Sequence, residues 1–476
     1  MKTSTPWDGS IRARAGFSLF ARRGSFRFFF LLALSLLFLL PNMPRGYAEG
    51  AAEGATESGE SGKRVFNALS KNSAACLSCH RDDSHGLVQQ WGASKHYGAN
   101  VGCYECHQAA KGDPDAIMHK KYLISVLVTP KDCGRCHEVE NKQFQESRHA
   151  KAGSTMAGSA SHALATQVES NHTEEGDQAA TAGCVQCHGS TVKLTPSGKL
   201  QASTWPNSGI GRINPDGSLG TCTACHQQHD FSAAQVRRPE ACSRCHQGPS
   251  HPQMEIYGQS RHGASFATHA HKMNLDSPKW IPGQDYYSGP TCATCHISPS
   301  LDVGMTHNVD KRLSWNLAQP ISKQSENAEE HRKEMQSICI SCHTERVVTH
   351  FYEQFDAVVA LYNSKFGEPG SRLMAALLKA GLRSERPFDE AIEWSWFKLW
   401  HQAGRQAQQG AAMRNPEISQ QGFADVAELF ERDLLPQAEA LISKAEAAGR
   451  SAELQEVKKL LEEIKNDPAR QRKNGQ

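Results

Sequence analysis

The sequence predicts a mainly α-helical fold in two parts, with short helices and loops first and a bundle of long helices last. Two observations carry this prediction. All 16 cysteines lie in eight Cys-x-x-Cys-His motifs, which extend as far as His343, and the chain between the motifs shows little regular periodicity. Beyond His350 there are no cysteines, and longer amphipathic patterns begin. Such patterns are typical of helices that bury one face.

The spacing within the motif has a chemical reason. Two thiols separated by two residues can bond to the two vinyl groups of one haem, and the histidine that follows then lies beneath the iron as its proximal ligand. Zinc ribbons and redox pairs also use Cys-x-x-Cys, but they do not need a histidine after every pair. The sequence therefore predicts a multihaem c-type cytochrome with eight covalently attached haems. The attachment cysteines are Cys76, Cys79, Cys103, Cys106, Cys133, Cys136, Cys184, Cys187, Cys222, Cys225, Cys242, Cys245, Cys292, Cys295, Cys339 and Cys342. The proximal ligands are His80, His107, His137, His188, His226, His246, His296 and His343.

The composition agrees with a protein that is completed by its cofactor. Only 38% of the 476 residues are hydrophobic, and the mean hydropathy is −0.55. Haem macrocycles supply apolar surface that side chains would otherwise provide. The formal net charge of +2 becomes more negative once haem propionates are added. The composition therefore gives no support for nucleic-acid binding.

The N-terminus predicts export. Several arginines precede an apolar run from Phe28 to Leu40, which Pro41 ends, and small residues near Ala48 offer a cleavage site. The run is too short to cross a bilayer comfortably. We expect a cleaved signal peptide and a periplasmic mature protein that does not span the membrane; the alternative is an uncleaved anchor.

Changes in composition divide the chain into four predicted parts. These are a signal peptide (1–48), a disordered linker rich in Gly, Ala, Glu and Ser (49–62), an octahaem domain (63–350) and a C-terminal helical domain (351–476). The predicted helices of the last part are Phe351–Phe366, Ser371–Leu382, Phe388–Ala412 and Phe423–Ile464. These helices either pack on the haem domain of their own chain or build a subunit interface, and the pattern at the end of the last helix suits a coiled-coil-like contact.

A repeated pattern predicts distal haem ligands. The sequence aromatic-x-x-Ser-Lys/Arg-His occurs three times and ends at His96, His149 and His262. It offers a ring to pack on porphyrin, a cation near the propionates and an imidazole at a fixed offset. His119 and His307 are further good candidates. The weaker candidates are His85, His251, His271 and His350. The 23 histidines allow either eight haems with two histidine ligands each, or seven such haems and one haem whose iron has no distal ligand.

Over nearly its whole mature length the chain resembles the octahaem hydroxylamine oxidoreductase family. The resemblance rests on the order of the eight motifs, on the helical C-terminus and on four stretches. These stretches are Thr129–Cys133, Cys222–Ser232, Pro239–Pro252 and Trp280–His296. The resemblance implies a homotrimer clasped by the C-terminal helices. A quinol-linked multihaem cytochrome is the expected electron donor, because the mature chain shows no membrane segment of its own.

The resemblance also implies where the chemistry occurs. The family's catalytic haem belongs to the fourth motif, here that of His188, and has an open distal face, while the other seven haems relay electrons. Its pocket contains a histidine, an acidic residue and a tyrosine. Tyr286 matches the tyrosine, and His229 is the first choice for the histidine, with His251 as its competitor. The acidic residue has no clear counterpart beside either histidine.

One departure from the family bears on the direction of the reaction. Oxidising members carry Pro-Asp-Tyr shortly before Trp-His-Gly, and that tyrosine crosslinks to a catalytic haem of the neighbouring subunit. Here Ile418 stands at the tyrosine position, and isoleucine has no phenol with which to form the bond. Relatives without the tyrosine are regarded as reductases, so we expect reduction of nitrite, hydroxylamine or both to ammonium. The alternatives are hydroxylamine oxidation and a non-enzymatic electron conduit.

Overall fold

The computed structural model describes residues 69–159, 163, 174–450 and 454–467. They belong to one compact unit. The predicted signal peptide (1–48) and linker (49–62) lie outside the described residues. Within the described part, no helix has both the length and the apolar character needed to cross a membrane. The prediction of a mainly helical chain with short helices before long ones is confirmed.

The first region, from Lys71 to Ile340, contains short helices, two short turns of 3₁₀ helix and two small hairpins. Its helices are α1 (Lys71–Asp83), α2 (His85–Ala93), α3 (Lys95–Gly98), α4 (Cys103–His107), α5 (Pro130–Cys133), α6 (Glu138–Glu146), α7 (Ala152–Ala157), α8 (Glu174–His188), α9 (Ala233–Arg237), α10 (Pro239–Ser243), α11 (Gln253–Gln259), α12 (Arg261–His269), α13 (Cys292–His296) and α14 (Ala328–Ile340). The 3₁₀ turns are Cys222–Ala224 and Ala270–Lys272. Strands β1 (Ile117–His119) and β2 (Tyr122–Ile124) pair antiparallel, as do β3 (Trp315–Asn316) and β4 (Lys323–Gln324).

The Cys-x-x-Cys-His motifs adopt helical turns. In several motifs the backbone N–H of the histidine donates to the carbonyl of the first cysteine, for example from His137 to Cys133 at 2.9 Å and from His343 to Cys339 at 2.9 Å. Residues four apart on a helix share one face. The first cysteine and the histidine of such a motif therefore point to the same side, where one haem can reach both.

Three long helices and a shorter one form the second region, which we call the bundle. The first long helix comprises α15 (Glu345–Tyr362), a π segment (Asn363–Gly367) and α16 (Glu368–Lys379). The second comprises α17 (Ala391–Phe397), a π segment (Lys398–Ala403) and α18 (Gly404–Ala412). The third comprises α19 (Pro416–Glu428), a π segment (Leu429–Leu434) and α20 (Leu435–Ala447). The last helix is α21 (Gln455–Lys465).

The helix boundaries differ from the predicted ones at several residues, and two of the differences change how the helices connect. The predicted helices Phe351–Phe366 and Ser371–Leu382 are parts of one continuous helix, and the predicted domain boundary at residue 350 falls inside it. The predicted helix Phe423–Ile464 is interrupted where Gly449 takes a positive φ of 85°. Glycine adopts this left-handed conformation at low cost, so it commonly ends a helix.

The π segments explain how two long helices continue past a proline. Pro369 and Pro436 each lie just after a π segment, at the start of the next α-helical segment. Proline has no N–H and clashes with the carbonyl four residues earlier in a regular α-helix. A local widening of the helix relieves both problems, so the chain bends without ending.

The bundle has a continuous hydrophobic core. Leu373, Leu377, Leu399, Phe430 and Leu434 are completely buried there. The first region has no comparable cluster among its described residues; its separate group around Trp280 has four buried members. This contrast is expected if haem provides the missing apolar surface.

Candidate haem sites and the surroundings of His188

Six motif histidines face a second imidazole across a similar gap within the described residues. The ring centroids are 5.8 to 6.4 Å apart. An iron bonded to two imidazoles at about 2 Å each, with about 1 Å from each nitrogen to its ring centre, needs a separation of roughly 6 Å. The gaps therefore fit a metal between the rings. The pairs are His80–His119, His137–His96, His188–His251, His226–His307, His246–His149 and His343–His262.

The two remaining motif histidines have different surroundings. The Nδ1–H of His107 donates to the carbonyl of Ser125 at 2.8 Å. His229 lies near His107, since burial and then His107 lower the pKa of His229. His296 is buried against the backbone of Val309, and burial lowers its pKa.

The three copies of the repeated pattern have the same local structure. In each, the serine ends a helix: its hydroxyl donates to the carbonyl of the aromatic residue at 2.6 to 2.7 Å and accepts a backbone N–H from the following turn. The aromatic rings are buried. The histidine is thereby held two residues after the serine, in the first turn of the next helix for His96 and His262 and in a turn before the next helix for His149. The histidines so placed, His96, His149 and His262, face His137, His246 and His343.

The buried imidazoles have the protonation state that a metal requires. Burial is the largest cause that lowers the pKa of His149 and of His226 to about 4. A neutral imidazole offers a free nitrogen lone pair, whereas an imidazolium does not. The Nδ1 atoms of His96 and His307 are buried without a hydrogen-bond partner. Such orphaned atoms are rare in proteins unless a group outside the polypeptide completes the site.

The cysteines also fit covalent haem attachment. None of the sixteen forms a disulfide, although all of them lie in a compact unit. Cysteines of different motifs are neighbours: Cys222 raises the pKa of Cys133, Cys292 raises that of Cys242, and burial followed by Cys187 raises that of Cys245 to about 12. The third motif therefore adjoins the fifth, and the sixth adjoins both the fourth and the seventh. Haems held by such motifs would lie next to one another.

His188 differs from the other paired motif histidines in its surroundings. His251 lies 5.8 Å from His188, but it also lies 6.4 Å from His246 and 6.5 Å from His401, all between ring centroids. His401 belongs to the π segment of the second long helix, and its ring stacks on Phe397 at 4.3 Å. The site thus combines histidines of the first region with one from the bundle.

Arg405 joins this site from the helical turn after His401. It is 9% exposed; Nη1 donates to the carbonyl of Ser250 at 3.0 Å, and Nη2 donates to the carbonyl of Ala318 at 3.3 Å. Because Ser250 precedes His251, the first bond anchors the turn that carries His251. We call the group His188, His251, His401 and Arg405 the His188 site.

Burial and the guanidinium together govern the charges in this site. Burial lowers the pKa of Arg405 to about 10, which leaves it cationic at neutral pH. Burial, followed by the charge of Arg405, lowers the pKa of His251 to about 4 and that of His401 to about 3. Both imidazoles are therefore neutral at neutral pH, and the site carries one net positive charge from its side chains.

Two of the predicted pocket residues lie elsewhere. His229 is beside His107, because the chain after the fifth motif turns back towards the second, and its backbone N–H donates to Gln90 at 3.3 Å. Tyr286 is buried against Trp280 with ring centroids 4.5 Å apart, and its hydroxyl donates to Oγ1 of Thr294 at 2.9 Å. Of the two candidate histidines, the one that faces His188 is His251, the competitor. The described contacts of Tyr286 are with Trp280 and Thr294.

Sequence reasoning did not find the contribution of the bundle. His401 and Arg405 lie four residues apart, so they share one helix face, and both are buried in a stretch otherwise rich in small and apolar residues. Two polar residues on a buried face were the signal available. His331 was also missed as a candidate distal ligand; its Nδ1 lies 3.2 Å from the carbonyl of Leu313, which leaves Nε2 for another partner.

Comparisons with family models match two parts of the chain. Residues 216–385 match the family described as seven times multi-haem cytochrome CxxCH, and residues 132–211 match the family of cytochrome c554 and c-prime. Both are families of c-type cytochromes, which bind haem covalently and are typically found outside the cytoplasm.

Two curated proteins are related to the chain at low identity. A probable nitrite reductase–hydroxylamine oxidoreductase fusion protein of Kuenenia stuttgartiensis is 24% identical over 335 residues, which are 59% of this chain and 35% of that protein. The multiheme cytochrome MtrA of Shewanella baltica (strain OS185) is 22% identical over 236 residues, which are 49% of this chain and 59% of MtrA. The chain thus spans less than two thirds of either relative.

Two solved structures share the fold. A hypothetical multiheme protein matches with a TM-score of 0.71 and 25% identity, over 81% of this chain and 97% of that one. A chain of the reducing HAO-like protein complex of Kuenenia stuttgartiensis matches with a TM-score of 0.55 and 19% identity, over 79% of this chain and 87% of that one. With the motif geometry, these matches identify a mainly helical multihaem cytochrome c that carries covalent haems and transfers electrons.

Proposed function

We propose that this multihaem c-type cytochrome holds eight haems and reduces nitrite, hydroxylamine or both to ammonium at the haem of the fourth motif. The observation that carries the proposal is the His188 site. Among the described motif histidines, His188 is the one whose facing imidazole is shared with a further buried histidine and a buried guanidinium from the bundle. The relationship to the fusion protein and the resemblance of the sequence to tyrosine-lacking members of the family support the same substrate class.

The remaining motifs suit electron relay. Five motif histidines face a dedicated imidazole, and His107 has His229 close by. An iron with both axial positions filled passes electrons without binding substrate. Since the sixth motif adjoins both the seventh and the fourth through their cysteines, electrons that reach the seventh motif can pass to the His188 site in short steps.

The proposed reactions consume electrons and protons together. Nitrite takes up six electrons and eight protons to give ammonium and two waters, and hydroxylamine takes up two electrons and three protons to give ammonium and one water. The haem that Cys184, Cys187 and His188 would hold would supply the electrons and a binding place for the nitrogen of the substrate. The side chains must hold the substrate and move protons to it. His251 and His401, both neutral and 6.5 Å apart, are the groups placed to do this, and such proton transfer typically contributes about 10²–10⁴ in rate.

One observation favours a second candidate function. The 5.8 Å separation of His188 and His251 resembles that of the other five pairs. If His251 binds the iron permanently, every haem is saturated and the protein is an electron conduit. Against this, His251 is not dedicated to His188, because His246 and His401 lie at nearly the same distance from it.

A spectroscopic and a chemical measurement together test the proposal. The purified holoprotein is reduced and exposed to CO, and is separately supplied with reduced viologen and either nitrite or hydroxylamine. We expect a CO-dependent Soret change in a minority of the haem and formation of ammonium. No CO response together with no turnover would exclude the proposed reaction and favour the electron conduit. An additional long-wavelength Soret-region band in the reduced protein would instead indicate a crosslinked haem and the oxidising reaction.

A matched pair of variants locates the activity. His251→Gln removes the imidazole that faces His188, and we expect turnover to fall by at least about 100-fold. His350→Gln is the control, because His350 is exposed and bonds only to Glu353 and Gln354 on its own helix. Equal activity of the two variants would exclude His251 from the reaction.

The proposal includes a setting for the protein. We place it in the periplasm as a homotrimer that receives electrons from a quinol-linked multihaem cytochrome. Exposed apolar side chains on α14 and α15, Ile340 and Val347, are 46 to 48% exposed and offer a surface for subunit contact. Light scattering of the holoprotein measures the oligomeric state, and a monomeric mass would remove this part of the proposal.

A further inference from the structure

Three arginines are buried in the described part of the chain, and their environments differ in one respect. Arg212 lies near Asp216, and Arg312 has Glu334 at 3.8 Å from its Nε. The third, Arg405, has no carboxylate among the described groups that act on it; the tyrosine Tyr362 is its neighbour instead. A buried charge without a counterion is costly.

The hydrogen bonds of Arg405 leave part of the guanidinium unused. Of its five N–H groups, one goes to Ser250 and one to Ala318, and Nε is buried without an acceptor. Trp400 covers one face of the guanidinium at 5.6 Å. Both carbonyl acceptors are neutral, so they orient the guanidinium without balancing its charge.

His401 presents a second unpartnered donor in the same place. It is 6% exposed, and its Nδ1 is buried with no hydrogen-bond partner. Phe397 fixes the ring by stacking, and the ring edge meets His251 at an interplanar angle of 86°. Two buried polar groups from successive turns of one helix are thus left unsatisfied beside the histidine that faces His188. Buried polar atoms of this kind usually have a ligand or an ordered water as partner.

We propose that Arg405 and His401 bind a planar anion with two oxygens next to His251, and that this anion is the nitrite of the proposed reaction. The fork of the guanidinium matches two oxygens of one anion, as it does with carboxylates. This inference rests on the proposed function for the identity of the anion. The same chemistry is offered by a haem propionate, which is a carboxylate, so the experiment must separate the two sources.

The experiment uses the intact holoprotein with Arg405→Gln, Arg405→Lys and His401→Asn. Nitrite binding to the oxidised protein is measured by optical titration, without turnover, and KM is measured for nitrite and for hydroxylamine. We expect Arg405→Gln to weaken nitrite binding by about 10- to 100-fold. KM for hydroxylamine should stay within a few-fold, because that molecule is uncharged. Arg405→Lys should recover part of the nitrite affinity, since it keeps the charge but loses the fork.

Arg383→Gln is the matched control. Arg383 is a partly buried arginine of the bundle whose guanidinium is paired with Glu393 at 2.5 Å rather than with a residue of the His188 site. Its loss should not change nitrite binding. The haem content of each variant, from its alkaline pyridine spectrum, shows whether the variant has matured.

The outcomes separate the possible answers. If matured Arg405→Gln has an unchanged affinity for nitrite but a shifted haem midpoint potential, the substrate assignment is overturned. Arg405 would then pair with a haem propionate in the wild-type protein. Unchanged affinity and unchanged potentials would overturn the anion site altogether. If wild-type protein binds nitrite in an Arg405-dependent way but never forms ammonium, the anion site stands and the proposed function fails. If Arg405→Gln forms ammonium with an unchanged KM for nitrite, the proposed function stands and the anion site fails.

Discussion

The first region and the bundle are stabilised in different ways. In the bundle, twenty buried residues form one hydrophobic cluster that runs through the long helices. In the first region, short helices hold motif cysteines and paired histidines, and the group around Trp280 has four buried residues. The bundle can therefore satisfy its apolar faces with its own side chains, whereas the first region depends on covalent haem. The His188 site lies where the two regions meet, so each of them contributes to it.

The largest expected effect comes from withholding haem. The full chain produced without haem attachment should lose the order of its first region, because the apolar surface that the short helices pack against is missing. Limited proteolysis followed by mass spectrometry should give a protected fragment close to residues 345–467. The mature holoprotein, as the control, should resist cleavage throughout. A haem-free chain that is equally resistant would contradict the comparison.

Truncation of the bundle core should reduce stability without touching the haems. Leu373 is completely buried, so Leu373→Ala should lower the free energy of unfolding by about 2–5 kcal/mol. Leu361→Ala, at a 41% exposed position on the same long helix, should change it by about 0.5 kcal/mol or less. Thermal unfolding measures both, and the reduced-minus-oxidised spectrum should match the wild type in both. An altered spectrum in Leu373→Ala would mean that the bundle core and the haems are directly coupled.

A smaller effect is expected at the serine that ends α6, two residues before the proposed ligand His149. Ser147 is completely buried and bonds to Phe144 on one side and Ala150 on the other. Ser147→Ala should cost about 1–2 kcal/mol and disturb the ligand His149, which should be visible in the low-spin signals of electron paramagnetic resonance. Ser154→Ala, at an exposed serine of α7, serves as control. Identical spectra for both variants would show that the serine does not position the imidazole.

The smallest effect concerns a tie between the regions. Arg332 donates to both carboxylate oxygens of Asp356 at 2.7 Å, and Trp315 donates to one of them at 2.8 Å. Burial raises the pKa of Asp356, but these hydrogen bonds outweigh burial and lower the pKa below the usual 3.8. Because the carboxyl pKa is lower in the folded than in the unfolded protein, it stabilises the fold at any pH above the unfolded-state pKa. That contribution disappears as the pH falls through the folded-state pKa.

Asp356→Asn should therefore be less stable than wild type at pH 7, by about 1 kcal/mol, with the difference shrinking below about pH 3.8. Glu329→Gln removes a largely exposed pair with Lys333 and is the control. Unfolding by denaturant across the pH range measures both. A difference that is constant with pH would contradict the assignment to this carboxylate.

Local patterns predicted much of this fold. The spacing of the motif fixes which side the cysteine and histidine of a helical turn share. The serine-containing repeat encodes a helix end with the same serine hydrogen bond just before His96, His149 and His262. Amphipathic periodicity likewise indicated the bundle. These features depend on residues a few positions apart, which a single sequence contains.

What escaped prediction depends on contacts between distant residues. His229 follows the fifth motif in the sequence but lies near His107 of the second motif. His401 contacts His251 from 150 positions further along the chain. No local sequence pattern encodes either contact. The π segments were also missed, because prolines such as Pro369 normally indicate a helix end and the packing of the bundle holds the helix together instead.

The central claim is that the iron at His188 has an open axial position while the others are saturated. Electron paramagnetic resonance of the oxidised holoprotein, with the signals quantified against total haem, tests it most directly. The account predicts one high-spin haem among eight. Eight low-spin haems, with none responding to added nitrite, would contradict it and make the protein an electron conduit.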